Sequence, residues 1–178
     1  MNAKPRQGVT VNDVAIAGVG SVAALLAGVW LGTAYFDYWA PWNLEVYRLE
    51  QVAKQTGRKW LNAGAGLRCV HSPNCENIDL VPCCSCTKKI DLMQRTPYRD
   101  KEFCGAMSCH VFEHLPDPEK VWDELARICD DQVHIVPGVA NPLGWTWFEH
   151  YWVFPKSHLT SRQDVMARAK LPWRATVP

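Results

Sequence analysis

The spacing of apolar and polar positions changes several times along the chain, and each change marks an element. Residues 14–36 show no period: 23 positions run without a charge between Asp13 and Asp37. As a helix rising 1.5 Å per residue, this run would be about 34 Å long, enough for a hydrocarbon core of about 30 Å. Tyr35, Phe36, Tyr38, Trp39 and Trp42 gather at its end, as side chains do at a membrane–water interface. The segment predicts one transmembrane helix. A signal peptide is an alternative, with Lys4 and Arg6 as its basic start, but the apolar run is long for a signal core. A buried soluble helix is another, and it is seldom apolar all round for about six turns.

After Pro41 the pattern becomes that of a folded domain. Asn43 is placed to cap a helix over 43–58, with Glu45 in its first turn, Lys54 near its end and Gly57 as its stop. Short apolar runs at 59–62, 77–80, 88–92, 103–111 and 132–136 predict strands. Asp117 followed by Pro118 is an N-cap with proline at the first helical position. Val121, Trp122, Leu125 and Ile128 then recur at helical spacing and predict one buried face. A last helix is expected over 161–170, opened by Ser161 with Asp164 three residues on. Helices alternating with short buried strands predict an α/β sheet. The chain divides into a tail at 1–13, a membrane helix with its aromatic interface at 14–40, and one domain at 41–178.

Charge and cysteine content narrow the function classes. A net charge of +1 supplies no strong field toward nucleic acid, and no nucleic-acid partner is expected. The eight cysteines are irregularly spaced, unlike a small secreted disulfide framework. They are expected mostly as reduced thiols, with Cys104, Cys109 and Cys129 as small core hydrophobes. Arg48, Lys54, Arg58 and Lys59 follow the apolar run, whereas only Lys4 and Arg6 precede it, so the C-terminal domain is expected on the cytosolic side. Gly20, Ala24, Gly28 and Gly32 repeat every four residues, a spacing that lets helices approach closely in lipid. Self-association or a membrane-protein partner is the expectation; small residues common to any membrane helix are the alternative.

The chemistry sits in Trp60-Leu61-Asn62-Ala63-Gly64-Ala65-Gly66, an apolar strand running into a Gly-x-Gly turn. Such a turn lets backbone approach a ligand at the carboxyl end of the first strand of a doubly wound sheet. Asp79, at the end of the next strand, is placed to hold two ribose hydroxyls. The third glycine of the dinucleotide fingerprint is absent, which speaks against NAD or FAD and for a ligand without phosphates.

Residues 59–154 resemble the small class I S-adenosylmethionine-dependent methyltransferases of the "methyltransferase type 11" kind. Leu61-Asn62-Ala63-Gly64-Ala65-Gly66 matches the first motif of a subgroup in which the next helix is reduced to a loop. Asn77-Ile78-Asp79 follows at the subgroup's spacing. The run Ser108-Cys109-His110-Val111-Phe112-Glu113-His114-Leu115-Pro116-Asp117-Pro118 resembles the family's Glu-His-Leu turn after the fourth strand. The resemblance implies a Rossmann-like sheet and S-adenosylmethionine as cofactor. It implies that Asn62, Ala63, Gly64, Ala65 and Gly66 line the methionine part, Asp79 with Leu80 the ribose, and Asp91 with Leu92 the adenine. Cys109 and His110 would lie near the sulfonium, with His110 and His114 as the candidate bases.

Ala65 replaces the cysteine more usual in that turn, and the chain after Phe154 is short. The antiparallel end of the sheet is therefore expected to be reduced, built at most from the surroundings of 145–154 and 173–177. The expected function is a membrane-anchored methyltransferase of unknown acceptor. The alternative is an inactive methyltransferase fold serving as a membrane-bound interaction module. Cys69, His71, Cys75, Cys83, Cys84 and Cys86 crowd one stretch, but paired Cys-x-x-Cys spacing is missing and no metal is assigned. Trp145, Trp147, Phe148, Tyr151, Trp152 and Phe154 form an aromatic segment read mainly as core, with a partner surface, a lipid-facing patch or a pocket cover as alternatives.

Overall fold

The computed structural model describes residues 24–25, 27–30, 32, 39–139, 141 and 149–171. Helix α1 (Ala40–Thr56) leads into strand β1 (Trp60–Ala63), then β2 (Cys75–Asp79) and β3 (Thr87–Lys89). Strand β4 (Ala106–Cys109), a 3-10 turn (Phe112–His114), α2 (Pro118–Ile128) and β5 (Gln132–Ile135) follow. The chain ends in β6 (Trp152–Val153), β7 (His158–Leu159), α3 (Arg162–Met166) and β8 (Ala169–Lys170).

The main sheet has the order β3-β2-β1-β4-β5-β7. Strands β1 to β5 pair in parallel, and β7 closes the edge antiparallel to β5. The order reverses between β1 and β4, and that reversal opens a crevice at the carboxyl ends of the strands. Strands β6 and β8 form a separate two-stranded pair. The mostly parallel α/β sheet expected from the sequence is present, and its antiparallel end is made of two-residue strands.

Two apolar layers hold the sheet. On one face, Leu49 and Ala53 of α1 pack with Trp60, Met107, Val133 and Ile135. On the other, Val121, Trp122, Leu125 and Ile128 of α2 pack with Leu61, Ala63, Ile78, Phe112 and Phe154. The buried face read for α2 is borne out, as is its cap: Asp117 accepts from the Lys120 N–H at 3.1 Å. His134 is a core histidine, fully buried, stacked on Phe112 and bonded to Ser108 at 2.8 Å and Gln132 at 2.9 Å. Burial pushes it down to about 3, so it stays neutral.

Several boundaries move. Helix α1 begins three residues before Asn43, because Pro41 in its first turn already has the backbone angle a helix start requires. Asn43 donates back to the Trp39 carbonyl at 2.9 Å instead of capping. Gly57 ends the helix as read, at φ 67°. Strand β4 is shorter than 103–111, with Phe103 making only an isolated bridge to Cys129. The last helix stops at Met166 because Ala169 and Lys170 are drawn into pairing with β6, while its Ser161–Asp164 capping box forms as expected.

The cysteines are mostly free thiols, as expected, with one disulfide that the sequence did not suggest. Cys69 and Cys84 form a disulfide; Cys75, Cys83, Cys86, Cys104, Cys109 and Cys129 are free. The loop after β1 brings Cys69 against the segment before β3, a proximity that irregular spacing along the chain does not reveal.

The expected membrane span falls largely outside the described residues, as do Gly20, Trp145, Trp147, Phe148 and 173–177. Ala24, Gly28 and Gly32 are helical, and Leu25, Val29 and Trp30 beside them are exposed. Among the described residues, no helix is long and apolar enough to cross a membrane.

Candidate functional site

A cavity of about 760 Å³ lies at the carboxyl ends of β1, β2 and β4. Asn62, Gly64, Ala65, Gly66, Asp79, Leu80, Asp91, Leu92, Cys109, His110 and His114 all line it. Of the site residues named from the sequence, Ala63 alone is absent from the wall: its side chain is fully buried in the α2-facing core. Trp42, Leu67, Arg68, Ile90, Met93, Val111, Leu115 and Pro116 complete the lining.

One wall is the Gly-x-Gly turn. Gly64 has φ 73° and Gly66 φ 49°, both in the left-handed region. A Cβ at Gly64 would stand 2.3 Å from Val111 Cγ2, so the turn after β1 touches the turn after β4 only because that atom is missing. The N–H groups of Gly64 and Ala65 both donate to the Ile78 carbonyl, at 2.9 and 3.0 Å. Asp79 accepts from Gly66 N–H at 2.8 Å with one oxygen and from Val81 N–H at 2.8 Å with the other. Its carboxylate is thereby aimed, and each oxygen keeps a second lone pair for a ligand.

Asn62, on the cavity wall as read, also has a task within the fold. Its amide donates to the Arg68 carbonyl at 2.9 Å and to Asn77 Oδ1 at 3.0 Å. Asn77 in turn accepts from Val70 N–H at 2.9 Å and donates to the Val70 carbonyl at 3.0 Å. The two asparagines, 2 % and 3 % exposed, replace a crossover helix by satisfying the backbone of the loop after β1. That loop presents Arg68, whose guanidinium lies 4.2 Å from the Trp39 ring centroid and 5.4 Å from that of Trp42. Arg68 was not singled out from the sequence, since nothing in its neighbours signals that it reaches the cavity.

The opposite wall follows β4. His110 sits at φ 56°, an unusual conformation for a residue with a Cβ, fixed by its N–H bond to the Ile135 carbonyl at 2.8 Å. Burial, with the nearby His150, His114 and Arg68 charges, pushes it down to about 4. Burial pushes the Cys109 thiol up to about 12 against the opposing pull of Arg68, so it is no thiolate at neutral pH.

Glu113 is fully buried, and neither carboxylate oxygen has a hydrogen-bond partner. Burial pushes it up to about 8. His110 Nδ1 stands 3.4 Å from its Oε1. With the imidazole held neutral and the acid raised, this contact is no salt bridge near neutral pH. His150, 5 % exposed, meets His114 edge-on with ring centroids 4.7 Å apart. Sequence reading did not reach His150, which lies far along the chain beside the aromatic segment.

The family model described as "Methyltransferase domain" matches residues 75–136. No curated protein matches the chain. Among solved structures, the chain is similar to the YcgJ protein from Bacillus subtilis, at 16 % identity and a TM-score of 0.38, over 52 % of this chain and 51 % of that one. It is also similar to a chain in the complex between the Haloferax volcanii Trm112 methyltransferase activator and a protein described as a methyltransferase. There the identity is 17 % and the TM-score 0.36, over 62 % of this chain and 57 % of that one. The chain thus spans between 51 % and 57 % of the length of these structures.

Proposed function

We propose that this chain, whose residues 75–136 match a methyltransferase-domain model, is a class I methyltransferase that binds S-adenosylmethionine in the cavity and transfers its methyl group to an acceptor on the His110–His114 side. The observation that carries this reading is the convergence of Gly64, Gly66, Asp79, Asp91, Cys109 and His110, from separate elements, on one cavity.

The chemistry of the wall suits the ligand. A cavity of about 760 Å³ is of ligand size. Asp79 offers lone pairs to ribose hydroxyls. Ile90, Leu92 and Met93 offer an apolar slot for the adenine, beside Asp91. Arg68 is the cation on this wall and would meet the methionine carboxylate. Bound there, S-adenosylmethionine supplies a methyl on an electrophilic sulfonium. The chain's own residues orient it and keep water from the reacting face. His110, neutral in its buried site, is the residue placed to take a proton from the acceptor if the acceptor carries one.

Anchoring in a membrane belongs to the same proposal. It is supported by the uncharged run at 14–36 and its aromatic end, and it points to an acceptor met at or near a lipid surface. Self-association through Gly20, Ala24, Gly28 and Gly32 and a cytosolic C-terminal domain remain part of that reading.

Calorimetry of the full chain with S-adenosylmethionine and S-adenosylhomocysteine tests the cofactor. Micromolar binding is expected, weakened at least tenfold in Asp79→Ala. Absence of binding at millimolar ligand defeats the enzyme reading and leaves an interaction module. Binding unchanged in Asp79→Ala defeats the ribose assignment.

A further inference from the structure

The side of the cavity after β4 holds a group that the cofactor reading leaves unexplained. Glu113 buries a carboxylate completely, and neither oxygen receives a hydrogen bond. A buried acid in that condition costs stability unless something positive joins it. Besides His110 Nδ1 at 3.4 Å, the imidazoles of His114 and His150 lie within reach of it. One ligand atom each from Glu113, His114 and His150 lies within 4.8 Å of the others. Ligands about 2.0–2.2 Å from a common ion stand roughly 3–4.4 Å apart, so a small closure brings all three onto one cation.

The three residues are also held for this. Glu113 and His114 belong to the 3-10 turn, and His150 comes from the segment before β6. Two hydrogen bonds tie those segments together: Tyr151 N–H to the Glu113 carbonyl at 2.7 Å, and Trp152 Nε1 to the Leu115 carbonyl at 2.7 Å. They bracket His114 and follow directly on His150, so the backbone is placed before any ion arrives. His114 is the member on the cavity wall.

We propose that Glu113, His114 and His150 form a divalent-cation site at the acceptor end of the cavity. Two imidazoles and one carboxylate suit first-row divalent cations such as Mn2+, Fe2+, Co2+ or Zn2+ better than Ca2+, and leave coordination positions open. The open positions would face the cavity beside His114, where they take an oxygen donor. The acceptor class is therefore an oxygen-bearing molecule that can ligate the ion. This last step rests on the methyltransferase reading; the cation site does not.

The test is titration of the full chain, stripped with chelator, by Mn2+ and Co2+. Calorimetry should give binding at one site per chain, weakened at least tenfold in both Glu113→Gln and His150→Ala. Cys84→Ser and Cys86→Ser, which alter the separate sulfur cluster of Cys69, Cys84 and Cys86, should leave that affinity unchanged. Bound Co2+ should show d–d bands without thiolate-to-metal charge transfer. Thermal unfolding supplies a second readout: Mn2+ should raise the midpoint of the wild type and not that of Glu113→Gln. Equal affinity in wild type and Glu113→Gln overturns the site, as does a thiolate-type Co2+ spectrum abolished by Cys84→Ser. S-adenosylmethionine binding measured on the same variants separates the outcomes. Metal loss with cofactor binding retained supports two distinct sites. Metal binding without cofactor binding defeats the methyltransferase reading and keeps the cation site.

Discussion

The two walls of the cavity satisfy their polar groups in opposite ways. On the glycine-turn wall, Asn62, Asn77 and Asp79 are all engaged with backbone, and every bond fixes the path of a loop. Behind the wall after β4, Glu113 is buried without one hydrogen bond. The first wall is finished by the fold itself. The second keeps a buried carboxylate that the proposed cation would satisfy. A buried polar residue is therefore a different sign in each place: structural on one side, a request for a ligand on the other.

The contrast can be broken at its hinge. Gly64→Ala adds both left-handed strain and a Cβ at 2.3 Å from Val111 Cγ2, and should cost about 2–4 kcal/mol in urea unfolding. Adding Val111→Ala should recover the steric part and leave about 1–2 kcal/mol from the backbone. No recovery would mean the walls do not meet through this contact. Next in size is Asn77→Ala, which leaves the Asn62 amide and both Val70 backbone groups short of partners; a loss of about 2–3 kcal/mol is expected. A neutral result would remove the structural role given to the asparagine pair.

Glu113→Gln should behave in the other sense. In chelator its stability should lie within about 1 kcal/mol of wild type, because the change removes an uncompensated buried acid and breaks no hydrogen bond. A loss as large as that of Asn77→Ala would erase the difference between the walls.

The smallest effect concerns a carboxylate outside the cavity that is satisfied like those of the first wall. Burial raises Glu124, but hydrogen bonds from Arg127 and Thr96 outweigh it and bring it down to about 2. Its folded value lies below the unfolded one, so its contribution is present above about pH 4.5 and is lost as pH falls through about 2. Glu124→Gln should flatten that acid limb of the stability profile while leaving the pH dependence of cofactor binding as it is in wild type.

What the sequence disclosed, and what it did not, follows the range of the interactions involved. The Gly-x-Gly turn, the Asp117 cap and the buried face of α2 are local patterns, and the structure carries them as read. The site residues converge because each stands at the end of a parallel strand, and strand ends share an edge of the sheet. Asn62 lines the cavity as read, but its second task, holding the Arg68 carbonyl and Asn77, was not legible, because no spacing rule shows a side chain turned back onto its own loop. The Cys69–Cys84 disulfide and the meeting of His150 with His114 depend on contacts between distant segments, which the sequence does not display.

The loop held by Asn62 and Asn77 has one more consequence. Residues 64–74 contain no helix, whereas dinucleotide-binding folds place a helix start directly behind their glycine turn. A helix start there would carry roughly half a positive charge aimed at the ligand. The glycine turn of this cavity supplies no such field. A pyrophosphate beside it would find little from that turn to balance it, and a ligand bearing its own positive centre would meet no opposing dipole there. The shortened crossover thus acts as a charge filter, set by a missing element rather than by any side chain in contact with the ligand.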